Sequence, residues 1–225
     1  MKKEWRRRFC LLLTVLALLL AGCGSAESTA DQEEPKPPAG EALALPCVLE
    51  DGRLVVENIF QYSGMNPDHS NEEGRETAAL EVCNASVLHL ENARLTLTVE
   101  DGSEIDFVIR DLPAGATVMV FSQENLPMTE GSQRELACEA DFTEEAPMAQ
   151  GRIDTAVEGM NITLTNVSGE PLENVKVSCH SLLEGKCYGG VTYEYTIDEI
   201  EAGAAVTVEA ADCYLDGALP VRIEG

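Results

Sequence analysis

The chain carries one stretch twice. Sliding the sequence by 82 places puts Leu80, Val82, Asn84, Ser86, Leu90, Glu91, Asn92, Arg94 and Leu95 on Ile162, Leu164, Asn166, Ser168, Leu172, Glu173, Asn174, Lys176 and Val177 without a gap. Farther on the offset becomes 88, and Phe107, Ile109, Asp111, Leu112, Ala114, Gly115, Val118 and Val120 fall on Tyr195, Ile197, Glu199, Ile200, Ala202, Gly203, Val206 and Val208. The second copy therefore holds six more residues between its middle strands. A self-match at a fixed period sets the architecture before any local pattern does. In a chain of 225 residues it implies two modules of roughly 75 to 100 residues, the size of a small β-sandwich.

The local pattern agrees. Leu80 and Val82 alternate with Glu81 and Cys83; Leu95, Leu97 and Val99 with Thr96 and Thr98; Ile105, Phe107 and Ile109 with Asp106 and Val108 between them. A period of two over successive runs predicts half-buried strands. Asp101-Gly102 predicts a hairpin turn, and Leu112-Pro113-Ala114-Gly115 another turn. Arg53 to Tyr62 reads as a strand, and Ser63 to Glu76 as a polar loop broken by Gly64, Asn66-Pro67 and Gly74. Helical periodicity is absent beyond the first 22 residues. The expected fold is all-β: two tandem immunoglobulin-like or fibronectin III-like β-sandwiches after a signal helix and a flexible linker, with segments 1–22, 23–46, 47–149 and 150–225. The Cys, Trp, Cys pattern of antibody domains is missing, since the only tryptophan is Trp5.

Residues 1–22 read as a signal peptide, with Lys2, Lys3, Arg6, Arg7 and Arg8 ahead of the apolar run from Phe9 to Leu20. That run is too short for a permanent transmembrane helix, which needs about 20 residues. Leu20-Ala21-Gly22-Cys23 follows and resembles the lipobox of bacterial lipoproteins. The resemblance implies lipidation of Cys23 by a diacylglyceryl group, which would hold the protein on the cell membrane, facing outside the cytoplasm, through two acyl chains. Residues 24–46 are rich in Ala, Glu, Ser, Thr and Pro and read as an acidic tether. Five of the 15 basic and one of the 40 acidic residues precede Cys23, so 10 stand against 39 in the remainder. That surface repels phosphate backbones and excludes nucleic acid as a partner.

Asn166, Leu172-Glu173-Asn174-Val175-Lys176-Val177, Tyr188-Gly189-Gly190-Val191-Thr192-Tyr193, Ala202-Gly203 and Val206, together with Phe60-Gln61-Tyr62-Ser63-Gly64, resemble a family of two-module lipoproteins from Clostridia-type bacteria. The likeness covers most of the chain after Cys23. It implies a surface location and a tandem sandwich, and it supplies no active site to carry over.

Six cysteines follow Cys23: Cys47, Cys83, Cys138, Cys179, Cys187 and Cys213. None occupies the same place in both copies, which excludes a disulfide shared by the repeat. Export permits disulfides, and two outcomes stand open: free thiols throughout, or a disulfide among Cys179, Cys187 and Cys213, paired as Cys187 with Cys213 or Cys179 with Cys187. Strand parity turns Cys138 and Cys179 toward the core. Cys179-His180 with Cys187 matches no common zinc spacing. Asp68, His69, Glu72 and Glu73 form an acidic loop without the calcium-loop pattern. His69, His89 and His180 are scattered, and His89 sits beside a turn, where exposure is expected. No nucleophile elbow, phosphate-binding loop or metalloprotease motif is present. No metal, cofactor or enzymatic activity is expected. Tyr193 and Tyr195 share the parity of Ile197 and read as core. Tyr188 and Tyr214 lack that explanation and are the candidate ligand contacts. The expected role is a non-catalytic binding or structural accessory module at the cell envelope, engaging another envelope protein. The alternative is a glycan-binding module using the tyrosine-bearing loops of the second domain.

Overall fold

The structure, a computed structural model, describes residues 42–128, 133–144, 148–213 and 215–225. The expected signal peptide, Cys23, most of the expected tether and Tyr214 lie outside these residues. Apart from single 3-10 turns at Glu50–Gly52 and Pro67–His69, the regular elements described are strands. In chain order they are β1 (Cys47–Leu49), β2 (Leu54–Asn66), β3 (Glu72–Asn84), β4 (His89–Val99), β5 (Glu104–Leu112), β6 (Thr117–Phe121), β7 (Gln133–Thr143), β8 (Ile153–Glu158), β9 (Asn161–Asn166), β10 (Leu172–Leu183), β11 (Lys186–Ile200), β12 (Ala205–Glu209) and β13 (Gly217–Glu224).

Alternation along the strands builds two cores. Leu80 and Val82 on β3, Leu95 and Leu97 on β4 and Phe107 and Ile109 on β5 are fully buried and pack together. Ile162 and Leu164 on β9, Val175, Val177 and Cys179 on β10 and Ile223 on β13 form the second core. Burying each large side chain contributes about 1.5–3 kcal/mol. The fold is an all-β sandwich, with two strand layers closing on each core.

The division between layers was not legible in the repeat. The strands form a seven-stranded sheet in the order β1-β2-β3-β6-β11-β10-β13 and two three-stranded sheets, β5-β4-β7 and β12-β9-β8. The repeat offset places β3 on β9, β4 on β10, β5 on β11 and β6 on β12. The long sheet therefore takes β3 and β6 from the first half, but the equivalents of β4 and β5 from the second. Its two parts meet where β6 and β11 run parallel, at Cys187 opposite Val118 and Tyr188 opposite Met119. Each half keeps a core, yet one sheet runs through both, and the described residues belong to one compact unit.

The six extra residues make that junction. They lengthen the β10–β11 hairpin beyond its counterpart β4–β5, and the added length carries Leu182 and Cys187 against the first core. Ser63 to Glu76 also departs from expectation. β2 and β3 run on through Gly64 and Gly74, with a register shift between Tyr62 and Gly64, leaving only the short tip at Pro67–Asn71. The strands run on because Gly64, Met65 and Asn66 pair with Gly74, Glu73 and Glu72 across the hairpin, while Ser63, Arg75 and Glu76 fall in the register shift.

The repeated Asn-x-Ser segments close a corner in each half. Asn84 is fully buried; its amide nitrogen donates to the carbonyls of Leu88, Leu112 and Pro113 at 2.9, 3.0 and 3.1 Å. Its oxygen accepts from the Ser86 N–H and hydroxyl. Asn166, also fully buried, donates to Glu170 and Ile200 at 2.8 Å each and accepts from Ser168 in the same way. Each amide thus satisfies carbonyls that would otherwise be orphaned where the chain leaves one layer for the other. Replacing either residue with alanine leaves those acceptors unpaired, at a cost of about 1–3 kcal/mol per buried group. Urea unfolding of Asn84→Ala and of Asn166→Ala is expected to show comparable losses of about 3 kcal/mol each, whereas Asn161→Ala, on an exposed position, should cost less than about 0.5 kcal/mol.

Candidate functional site

The densest concentration of buried polar groups lies where β11 meets the first half. Cys179 of β10 stands opposite Tyr193, but Ser181 stands opposite Tyr188. Gly189, Gly190, Val191 and Thr192 therefore bulge out of the ladder against His180. The bulge frees backbone N–H groups, and the β2–β3 tip answers them. Asp68 Oδ2 accepts from Gly190 N at 3.0 Å and Phe121 N at 2.8 Å, and Oδ1 accepts from Val191 N at 3.0 Å. One carboxyl thereby ties β6, β11 and the tip together. Burial pushes the Asp68 carboxyl up to about 6, against the pull of those three N–H donors. Asn66 fixes the tip, with its oxygen accepting from Asp68 N and His69 N and its amide donating to Ser122 O and Asn125 Oδ1. The close approach requires glycine. A Cβ on Gly190 would lie 1.9 Å from Val108 O, and one on Gly189, which has φ +87°, would lie 2.5 Å from Pro67 Cγ.

Tyr188 was expected to be an exposed ligand contact, and the structure corrects this. It is 3% exposed and its ring stands edge-on to Phe121 at 5.2 Å and to Tyr62 at 6.3 Å. Its hydroxyl donates to Met65 O at 2.6 Å and lies 2.6 Å from the Tyr62 hydroxyl. The residue anchors the junction, because the hairpin extension carries it into the groove between β2, β3 and β6. The second candidate contact, Tyr214, lies outside the described residues. Tyr193 and Tyr195 pack against the second core, half-buried. Burial raises the Tyr195 phenol, which donates to Asp212 at 2.9 Å.

On the neighbouring face, Arg222 of β13 donates to Asp111 of β5 through Nε at 3.0 Å and Nη2 at 2.7 Å. His89 Nε2 lies 3.2 Å from the same carboxylate. Burial raises the Asp111 carboxyl, but the hydrogen bonds from His89 and Arg222 outweigh it and hold the group below its ordinary value. His89, expected to be exposed, is 3% exposed, its ring held against Asp111, which Arg222 of β13 also binds. His180 is fully buried and donates from Nε2 to Arg110 O at 2.8 Å, while burial lowers its pKa and keeps it neutral. Nothing in the sequence near Asp111 or Arg222 signalled this contact, whose partners lie 111 positions apart.

The acidic loop does not gather as a cluster. Asp68 turns inward, while His69 bonds Gln123 O through Nδ1 at 2.6 Å and approaches Glu72 through Nε2 at 3.2 Å. Among the described residues no group of three His, Cys, Asp or Glu side chains is placed to hold a metal ion.

The six cysteines of the folded unit are free thiols. Cys187 lies in the first core, where burial pushes its thiol up to about 12. Cys179 and Cys213 face each other in the second core with their sulfurs 3.4 Å apart. Their contact raises the Cys179 thiol, helped by burial, and lowers that of Cys213. The structure thus brings together two of the three expected participants in a pair not anticipated, and sets Cys187 apart from them. The hairpin extension that moves Cys187 into the other half is the reason.

Asp68→Asn keeps one acceptor oxygen and turns an amide donor toward a backbone N–H, so it should lose about 1–3 kcal/mol of stability. The wild-type carboxyl is raised to about 6 in the fold against about 3.9 in an unfolded chain. Its proton-linked stabilisation is therefore complete below pH 4 and is lost as pH rises through 6. The deficit of Asp68→Asn in urea unfolding should be larger at pH 4.5 than at pH 7.5; a deficit that is the same at both would show that the carboxyl titrates normally. Neither a protein-family model nor a curated protein matches the sequence.

Proposed function

We propose that the chain is a lipid-anchored protein of the outer face of the cell membrane, whose folded unit serves as a non-catalytic binding or structural accessory module for another envelope protein. One observation carries the non-catalytic reading. The side chains a catalytic centre would draw on are spent on construction: Asp68 on three backbone N–H groups, His180 on Arg110 O, and His89 and Arg222 on Asp111. Each lies within a joint between strands and holds it through these bonds, His89 and His180 through Nε2 alone, with Nδ1 of each buried and unbonded.

The surface supports a docking role in place of a cleft. The outer face of β12-β9-β8 carries an open depression lined by Ala156, Glu158, Asn161, Thr163 and Thr207, with exposed Val157 at its rim, and both β12 and β8 are edge strands, which can accept an added strand. The anchor reading comes from Leu20-Ala21-Gly22-Cys23 and the acidic stretch behind it. Two acyl chains hold a protein on a bilayer stably where one gives marginal binding.

Cells fed an alkyne fatty acid should label the wild-type chain and not Cys23→Ala, read by in-gel fluorescence after click chemistry. Labelling of both, or of neither, would remove the anchor. A photo-crosslinking residue at Val157 should then capture a discrete protein adduct in cells, identified by mass spectrometry; recovery of envelope glycan fragments would move the reading to a glycan-binding module.

A further inference from the structure

We infer that Cys179 and Cys213 are a disulfide site, closed when the chain folds in the presence of a disulfide-bearing oxidant. The two sulfurs lie 3.4 Å apart and both side chains are fully buried. A disulfide needs about 2.05 Å, so closure asks for an approach of about 1.4 Å. Cys213 can supply it, for it sits on the turn between β12 and β13, held by its N–H to Ala210 O at 2.9 Å, while Cys179 is fixed in β10. The pair sits against the apolar second core with Ser181 beside Cys213, and no metal-holding group of side chains is present among the described residues.

The chemistry balances by exchange. The Cys213 thiolate attacks one sulfur of the donor disulfide, forming a mixed disulfide and expelling one donor thiolate. Cys179, deprotonated in turn, attacks the Cys213 sulfur and expels the second. The protein loses two protons and two electrons, and the donor gains them as two thiols. Because the pair is sealed from solvent once folded, the bond forms as the second core assembles.

The bond would close a loop between residues 34 positions apart, which restricts the unfolded chain and should raise the melting temperature by about 10 °C. It would staple the turn after β12 to β10, the strand next to the β13 edge of the seven-stranded sheet, and so fasten the β12-β9-β8 layer to the layer opposite.

The test uses the full chain, unfolded in urea and refolded with a mixture of reduced and oxidised glutathione. Alkylation under denaturing conditions should then modify four of the six cysteines that follow Cys23, and a tryptic digest should show peptide 177–186 linked to peptide 187–222. Since the second peptide holds both Cys187 and Cys213, the digest is repeated on Cys187→Ala, where the link should persist. Modification of all six in the wild type, or loss of the link in Cys187→Ala, would overturn the proposal. The melting temperature of the oxidised wild type should fall by about 10 °C on reduction, and that of Cys213→Ala should not respond; equal responses in both would also overturn it.

Discussion

The arrangement of both halves depends on a buried carboxyl facing three backbone N–H groups. A bulge in β11 is unavoidable once the hairpin extension has to turn from β10 toward β6, and a bulge leaves amides that no ladder partner can reach. Left unpaired in a dry junction, each would cost about 1–3 kcal/mol. Asp68 answers two of them and adds Phe121 N of β6, so the acid is the common endpoint of three elements. Its own desolvation is the cost of that arrangement, visible as a carboxyl raised to about 6. The packing around it has no slack: glycine at 189 and 190 is what lets Pro67 and the backbone of Val108 come close enough to exclude water.

With the junction held, the duplication takes on a different meaning. Two copies of one sandwich pattern need not make two independent sandwiches. Here the first copy offers the edge of β6 and the second offers β11, lengthened by six residues, and the two pair in parallel. The aromatic group of Phe121, Tyr62 and Tyr188 then forms a small third core between the larger two. Two edges that separate domains would have left open are covered by each other, which removes a template for aggregation. Asn84 and Asn166, by contrast, do the same work in both copies, because a corner between layers is a local problem with a local solution.

The legible part of the fold was whatever depends on short range. Period two in Leu80, Val82, Leu95, Leu97 and Phe107 marked the strands and their buried faces, and Asp101-Gly102 marked a hairpin that forms, with Gly102 N donating to Val99 O. The same parity rule placed Cys179 in the core. What escaped were contacts set by the layer exchange. Tyr188 looked unoccupied because its groove is supplied by β2, β3 and β6, more than a hundred positions away in part. His89 looked exposed because the Asp111 that holds its ring is itself bound by Arg222, from the far end of the chain. Asn66-Pro67 and Gly74 read as breakers, but composition does not reveal that the hairpin tip reaches another element and gains by staying ordered. The sulfurs of Cys179 and Cys213 meet only because the turn after β12 folds back over β10, and no spacing rule encodes that return.

The seven-stranded sheet also sets a mechanical axis. Its first strand, β1, opens the folded unit and its last, β13, ends the chain, and they occupy opposite edges of the same sheet. Six steps of about 4.8 Å put those edges roughly 29 Å apart. A pull between the chain's point of entry and Gly225 therefore runs across the strands and not along them. Such a load passes in series through every strand pairing of the sheet, the short parallel pairing of β6 with β11 included.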